Sequence, residues 1–288
     1  MIYLDAADTR AALSMASAID AMKVGLGDDR EVPLRSILGR SAFMAGRAGE
    51  HTGVKVVSLV PGNPVGSVMV FAPDGEPLGI VDGPTITAIR TGAAAGLATE
   101  LLAPPGVGVL AMLGAGAMAA DQVAAVQAVR PLREIRVWSR DRGRASQLAE
   151  RVGGSVVDTA AKAVRDSTIV STATPSRAAL FDDDDLSGQV HVNAVGAYTP
   201  EMCEIPAAFV RRAFVVVDDL TAASAEAGDL LQAGIDPACT LADILSGRQR
   251  PPISSSTLFK SVGIASQDVA AGAVALANAR QKGIGRDL

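Results

Sequence analysis

From residue 107 onward the sequence alternates short, wholly apolar runs with segments of helical period. No other feature constrains the fold as much. "VGVLAML" (107–113) reads as a buried strand, and residues 118–130 read as a helix stopped by Pro131. Strand "EIRVW", helix "DRGRASQLAERV", strand "SVV", helix "TAAKAVRD" and strand "TIVSTA" follow, then the apolar strands "VHVNAVG" and "FVVVD". A strand apolar on both faces needs cover on both, and strands separated by helices re-enter a sheet in the same direction. The expected class is α/β, a doubly wound parallel sheet over residues 104–260.

The two chain ends, 1–103 and 261–288, have a different texture. Helical periodicity covers residues 9–26, followed by the strand-like pieces "GVKVVSLV", "GSVMVF" and "LGIVDG". The turn residues "PDG" at 73–75 predict a hairpin between the last two. A helix of small residues over 85–102 ends before "APPG", the expected domain boundary. The last helix, 266–281, carries an apolar stripe and is expected to pack back on the first domain.

The length of 288 residues at 49 % apolar content suffices for two packed domains. Aromatics are only 3 %, so the core must be built from small side chains. A formal charge of −5 argues against general affinity for nucleic acid or anionic membrane, so a local basic cluster must bind something small. The apolar runs are broken by Gly, Pro or charge, so no membrane span is expected. Cys203 and Cys239 are isolated, with neither metal-type spacing nor a disulfide framework. With the cysteines isolated a reduced, cytoplasmic setting is expected, and the opening "MIYLDAADTR" shows no secretion-signal pattern. Four consecutive aspartates at 182–185 do not share a helix face and read as a solvated helix start, so no metal site is expected.

"LGAGAMAAD" places Gly114, Gly116 and Ala119 in the spacing G-x-G-x-x-A, directly after a strand and opening a helix. The first glycine permits a tight turn and the second lets backbone approach a pyrophosphate. The small third residue lets helix pack on strand, and the helix N-terminus offers N–H donors to the anion. The next strand ends at Ser139 and Arg140. In such folds an acidic residue there bonds the ribose 2′-hydroxyl of NAD; a hydroxyl and a guanidinium instead suit a 2′-phosphate. NADP(H) is therefore expected over NAD(H), with NADH possible. Asp141 begins the next helix, and Arg142 and Arg144 are consistent with a solvated loop.

Arg90 interrupts the small-residue helix, where an unpaired charge would be costly. It needs an anion, either a cofactor phosphate, a substrate carboxylate or an internal partner such as Asp82 or Glu100. Arg35 and Lys55 lie in apolar surroundings, either as clamps for a small anionic substrate or as snorkelling side chains at a strand edge. His51 and His191 are lone residues, and no hydrolytic triad, metal set or carboxylate pair is present.

"GVKVVS", "DGPTITAIRTGAAAGLA", "LGAGAMA", "VNAVGAYTPEMCEI", "AEAGDL" and "STLFKSVG" occur in the order of the ornithine cyclodeaminase/mu-crystallin family. The resemblance covers essentially the whole chain. It implies a Rossmann domain joined to an α+β dimerisation and substrate domain built from both chain ends, in a homodimer handling imino or amino acids with a nicotinamide cofactor. It also implies a carboxylate clamp of Arg35 and Lys55, with Arg90 between cofactor and substrate and Thr91 beside the phosphates. By the same resemblance Ala117, Met118, Ser139, Arg140 and Thr174 contact the dinucleotide. Val195, Gly196, Ala197 and Ser261 lie near the nicotinamide, Val262 against the substrate, Glu226 faces the pocket, and Ser67 stands where many members have a threonine.

One departure bears on the reaction. Ornithine cyclodeaminases resembling this chain carry a proton-shuttling acid where Tyr198 stands and a lysine where Met202 stands. A phenol with a pKa of about 10 is a poor base near neutrality. The expectation is an NADPH-dependent reductase of a small carboxylated imine, with a cyclic ketimine such as 1-pyrroline-2-carboxylate or 1-piperideine-2-carboxylate first, and Lys55, Tyr198 or water as proton source. The rivals are an amino-acid dehydrogenase acting on alanine or an acyclic imino acid, an NADPH- or ligand-binding crystallin-like protein and, last, a cyclodeaminase.

Overall fold

The computed structural model describes residues 1–60 and 65–288. Its contacts divide the chain into two compact units, Met1–Ala94 with Ile264–Leu288, and Ala95–Gly263. The division falls inside the helix Gly83–Leu102, earlier than the "APPG" loop at which the sequence suggested a boundary. That helix is apolar around most of its circumference, with Ile86, Ile89, Ala93, Ala95, Leu97 and Ala98 all buried. A helix without a polar face must be enclosed, so it belongs to the core rather than to a linker.

The second unit is an eight-stranded sheet in the order Ser155–Val156, Leu132–Trp138, Gly108–Leu113, Ile169–Thr172, His191–Ala194, Thr257–Lys260, Phe214–Val217, Cys239–Thr240. All neighbours pair in parallel. Strand order reverses between Gly108–Leu113 and Ile169–Thr172, so the crevice at their carboxyl ends is the topological switch point. Two strands, Cys239–Thr240 and Thr257–Lys260, have no counterpart in the apolar series; a threonine and a lysine bound the second, and only its burial between two other strands makes it sheet.

The first unit is also an eight-stranded sheet, mostly antiparallel, and the chain's two ends meet at its edge, where Ile2–Leu4 pairs with Arg286–Asp287. Gly66–Phe71 and Pro77–Asp82 form the expected hairpin, turning at Gly75. The helix Ala265–Lys282 covers one face of the sheet. It can approach because Gly53 has no side chain: a Cβ there would stand 2.9 Å from Val269 Cγ2. Residues 9–26 are not one helix. They form Ala6–Ala12 and Met15–Gly25, because Ser14 turns the chain and accepts the Ser17 N–H at 3.2 Å as an N-cap. The aspartate run forms a single 3-10 turn at Asp183–Asp185, with Asp183 paired to Arg212.

Lys260 is wholly buried, and its ammonium lies 2.8 Å from Asp229, equally buried. Removing one partner of such a pair leaves an uncompensated charge in the interior. Asp229→Ala should therefore lower the unfolding free energy by about 3–5 kcal/mol in urea titrations. A loss below about 1 kcal/mol, the range of exposed pairs, would show that Lys260 finds another counterion.

Candidate active site

In the second unit, site residues expected from sequence fall just past the carboxyl ends of neighbouring parallel strands. Gly114 follows Gly108–Leu113 with φ +110°, a conformation side chains disfavour, and its N–H donates to Trp138 O at 2.8 Å. Gly116 and Ala117 are exposed, and a Cβ on Gly116 would meet nothing within 4 Å. The helix Ala119–Val129 starts at Met118 with no side-chain cap, and the Ala119 N–H donates to Gly116 O at 3.1 Å within the turn. Ala119 is buried in the core between this helix and the sheet.

Ser139 and Arg140 directly follow the adjacent strand, Leu132–Trp138. Ser139 is half-buried and accepts the Asp141 N–H at 3.3 Å. Arg142 pairs with Asp158 and Arg144 with Asp141, whereas exposed Arg140 has no side-chain partner among the described residues. Only one of the three loop arginines is uncommitted.

The loops bearing Thr174, Val195, Gly196, Ala197, Ser261 and Val262 are held by acids the sequence reading did not single out. Glu204 is fully buried. One of its oxygens accepts from Thr174 N at 2.6 Å and Thr174 Oγ1 at 2.8 Å, the other from Gly196 N at 2.8 Å and Ala197 N at 3.1 Å. Burial pushes its pKa up, and nearby Lys260 opposes that shift. Asp218, also buried, accepts from Ser261 Oγ at 2.8 Å, Val262 N at 3.0 Å and Gly263 N at 2.8 Å. The only hint was an acid closing an apolar run, in "VVVD" and "MCEI". Tyr198 is 47 % exposed, and Glu226 ends the short helix Leu220–Glu226. His191 is sealed in the core against Thr257 and Asn193, and burial draws its pKa down to about 4, so it is a neutral structural residue. Among the described residues no cluster could hold a metal ion, and no helix is long and apolar enough to cross a membrane.

In the first unit, Lys55 and Arg90 come together. Lys55 lies in the strand His51–Ser58, paired on both sides, and only 5 % of it is exposed, so it does not snorkel at an edge. Its ammonium donates to Thr87 Oγ1 at 2.6 Å and to Asp268 Oδ1 at 3.2 Å. Arg90 Nε donates to the same Asp268 oxygen at 3.1 Å, and Arg90 Nη1 donates to Gln267 Oε1. The internal partner of Arg90 is thus Asp268, not Asp82 or Glu100; Asp82 instead accepts the Thr85 N–H. Asp268 is fully buried in the first turn of Ala265–Lys282, where the helix dipole favours a carboxylate. Thr91 is buried next along the helix, and Arg35 lies half-buried just before the strand Ser36–Leu38. Ser67, opposite Val56, projects from the sheet face away from Lys55 and does not join this group.

Desolvation lowers the Lys55 pKa to about 8; Asp268 opposes the shift, while Arg90 and Arg35 reinforce it. In the unfolded chain the amine keeps its ordinary value near 10.5, so between the two values the unfolded state binds more protons. The cost of the buried ammonium is fully present below pH 8 and is relieved as pH rises toward 10.5. The unfolding free energy of the wild type, minus that of Lys55→Met, should rise by about 3 kcal/mol across this window. A flat difference would show that burial leaves the amine unshifted.

The profile of the ornithine cyclodeaminase/mu-crystallin family matches residues 31–283. Ketimine reductase mu-crystallin of Mus musculus is 35 % identical over 208 residues, 71 % of this chain and 66 %, just under two thirds, of the mouse protein. A Bacillus cereus Δ1-pyrroline-2-carboxylate reductase is 32 % identical over 260 residues, 82 % of this chain and 80 % of that protein. The structure of Thermococcus litoralis Δ1-pyrroline-2-carboxylate reductase in complex with NADH and L-proline superposes with a TM-score of 0.92 at 28 % identity, covering all of both chains. With the G-x-G-x-x-A turn at a switch point and a buried lysine–arginine pair on one carboxylate, these matches show that the chain belongs to the ornithine cyclodeaminase/mu-crystallin family.

Proposed function

We propose that this protein is an NADPH-dependent reductase of a small carboxylated imine, with a cyclic ketimine such as 1-pyrroline-2-carboxylate as its first substrate. One observation carries the substrate class: Lys55 and Arg90, both buried, share the single carboxylate of Asp268, and Arg35 adds a third cation nearby. One negative charge against at least two positive ones leaves a surplus that a substrate carboxylate offsets. The names of the mouse, B. cereus and T. litoralis relatives support the imine.

The residues present fit a nicotinamide dinucleotide. The uncapped helix start and the open space over Gly116 suit a pyrophosphate. Uncommitted Arg140 beside Ser139 suits an added 2′-phosphate, which would favour NADPH even though the T. litoralis relative holds NADH. When bound, the reduced cofactor supplies a hydride to the imine carbon.

The chain supplies position and a proton. Lys55 has three N–H donors, of which Thr87 and Asp268 engage two, leaving one for the substrate. With a pKa near 8 it is protonated at neutrality yet gives up its proton more readily than an ordinary lysine, which favours it over exposed Tyr198 as donor to the imine nitrogen.

The assembly is a homodimer through the sheet face opposite Lys55. Phe43, Ala45, Val54, Val56, Met69 and Ile80 alternate onto that face and are half-buried or exposed, an apolar surface suited to a second copy. Sedimentation should give a dimer, and Val56→Glu should shift it to monomer; a monomeric wild type would rule out this face as an obligate interface.

The function is tested by following NADPH oxidation with 1-pyrroline-2-carboxylate and 1-piperideine-2-carboxylate, with NADH in parallel. Lys55→Ala should abolish turnover and leave NADPH affinity within about twofold. Arg140→Ala should weaken NADPH about 10- to 100-fold, the worth of one charge-assisted contact, and leave NADH unaffected. No NADPH consumption with either ketimine, or a preference for NADH, would overturn the proposal in substrate or in cofactor.

A further inference from the structure

We infer that Asp268 is a positioning residue: one of its oxygens holds the Lys55 ammonium and the Arg90 guanidinium side by side, so that the amine is aimed as a proton donor and the guanidinium keeps a nitrogen for the substrate carboxylate. This deepens the imine-reductase function and rests on it.

The geometry is specific. Asp268 Oδ1 accepts from both cations, at 3.2 Å from Lys55 and 3.1 Å from Arg90, and all three side chains are 6 % exposed or less. Gln267, the preceding residue, accepts from Arg90 Nη1, so two consecutive residues of one helix turn fix the guanidinium plane. Arg90 Nη2 is left without a partner among the described residues. Thr87 donates its own hydroxyl proton to Gly83 O at 2.7 Å, so it can only accept from Lys55. The amine is therefore pinned from two sides by acceptors, and its third N–H has one remaining direction. Asp268 Oδ2 and Gln267 Nε2 are buried without a hydrogen-bond partner. An acceptor and a donor are thus unspent beside the two cations, more than a simple neutralising ion pair requires.

A further consequence separates positioning from plain structure. The charged groups that bear on Lys55 are Asp268 from the last helix, Arg90 from Gly83–Leu102 and Arg35 from the segment before Ser36. Of these only Asp268 favours the protonated amine. Without its charge the ammonium is less stable, and an enzyme that needs Lys55 protonated loses activity at lower pH than before.

The test uses full-length protein with lysine labelled at the ε-carbon. Lys55 is assigned by the resonance that vanishes in Lys55→Arg, and it is titrated by NMR without substrate in wild type, Asp268→Asn and Asp268→Glu. Alongside, kcat/KM for 1-pyrroline-2-carboxylate is measured against pH. In Asp268→Asn the Lys55 titration and the alkaline fall of kcat/KM should move together to lower pH by about one unit or more, with kcat falling more than KM rises. Asp268→Glu keeps the charge and displaces it by one methylene. It should bring the titration back toward wild type while kcat stays at least about tenfold down.

If Asp268→Asn does not fold, the Glu variant decides alone: wild-type kcat and an unchanged pH profile overturn the proposal. An unchanged Lys55 titration in folded Asp268→Asn overturns it as well, whatever the kinetics. A shifted titration without turnover of any ketimine by wild type would instead sink the reductase function and leave the Asp268–Lys55 coupling standing.

Discussion

Two cations and one carboxylate, shielded from water on the inner face of the first sheet, tie together a strand, the long central helix and the last helix of the chain. Lys55, Arg90 and Asp268 come from positions 178 and 213 residues apart in sequence, counted to Asp268. Burying these charges is costly unless they meet in good geometry. The last helix therefore cannot shift along the sheet without stranding a lysine or an arginine. Small residues make the meeting possible: where helix and strand touch, Gly53 leaves the space that the packed Val269 needs.

The same device recurs in the second unit with the signs arranged differently. Glu204 gathers the backbone N–H groups of two strand-end loops, Asp218 gathers those of a third, and Asp229 joins the Glu204 loop to Lys260. Each buried acid takes several donors at once, which keeps it satisfied in a low-dielectric interior. Such networks contribute little net stability compared with apolar packing, but they leave a loop one conformation to adopt. With 3 % aromatic residues the chain has few large side chains to lock its loops by shape, and buried carboxylates take that role.

The chemistry follows from this economy. In the proposed function the residues assigned to the substrate are held by the protein's own groups, so ordering entropy need not be lost at the moment of reaction. A lysine released from ordinary basicity by burial, next to a guanidinium with a free edge, suits a substrate with a carboxylate at one end and a basic nitrogen at the other.

The sequence by itself determined the fold class. Apolar runs of strand length separated by helical periods admit little besides a covered parallel sheet, and the strand–glycine–helix junction located the tight turn at Gly114. It also marked Lys55, Arg90 and Arg140 as charges in unusual surroundings. The tertiary structure decided which charges meet. Sequence periodicity reports the face a residue occupies within its own element; it says nothing of what a distant element lays against that face. For that reason Asp268, Glu204, Asp218 and the Lys260–Asp229 pair were not legible: each is an ordinary polar residue until its partner, 7 to 213 positions away, is folded onto it. The strand Thr257–Lys260 was lost for the same reason, since its polar ends are tolerable in a sheet interior only because other segments bring Asp229 and His191 to meet them.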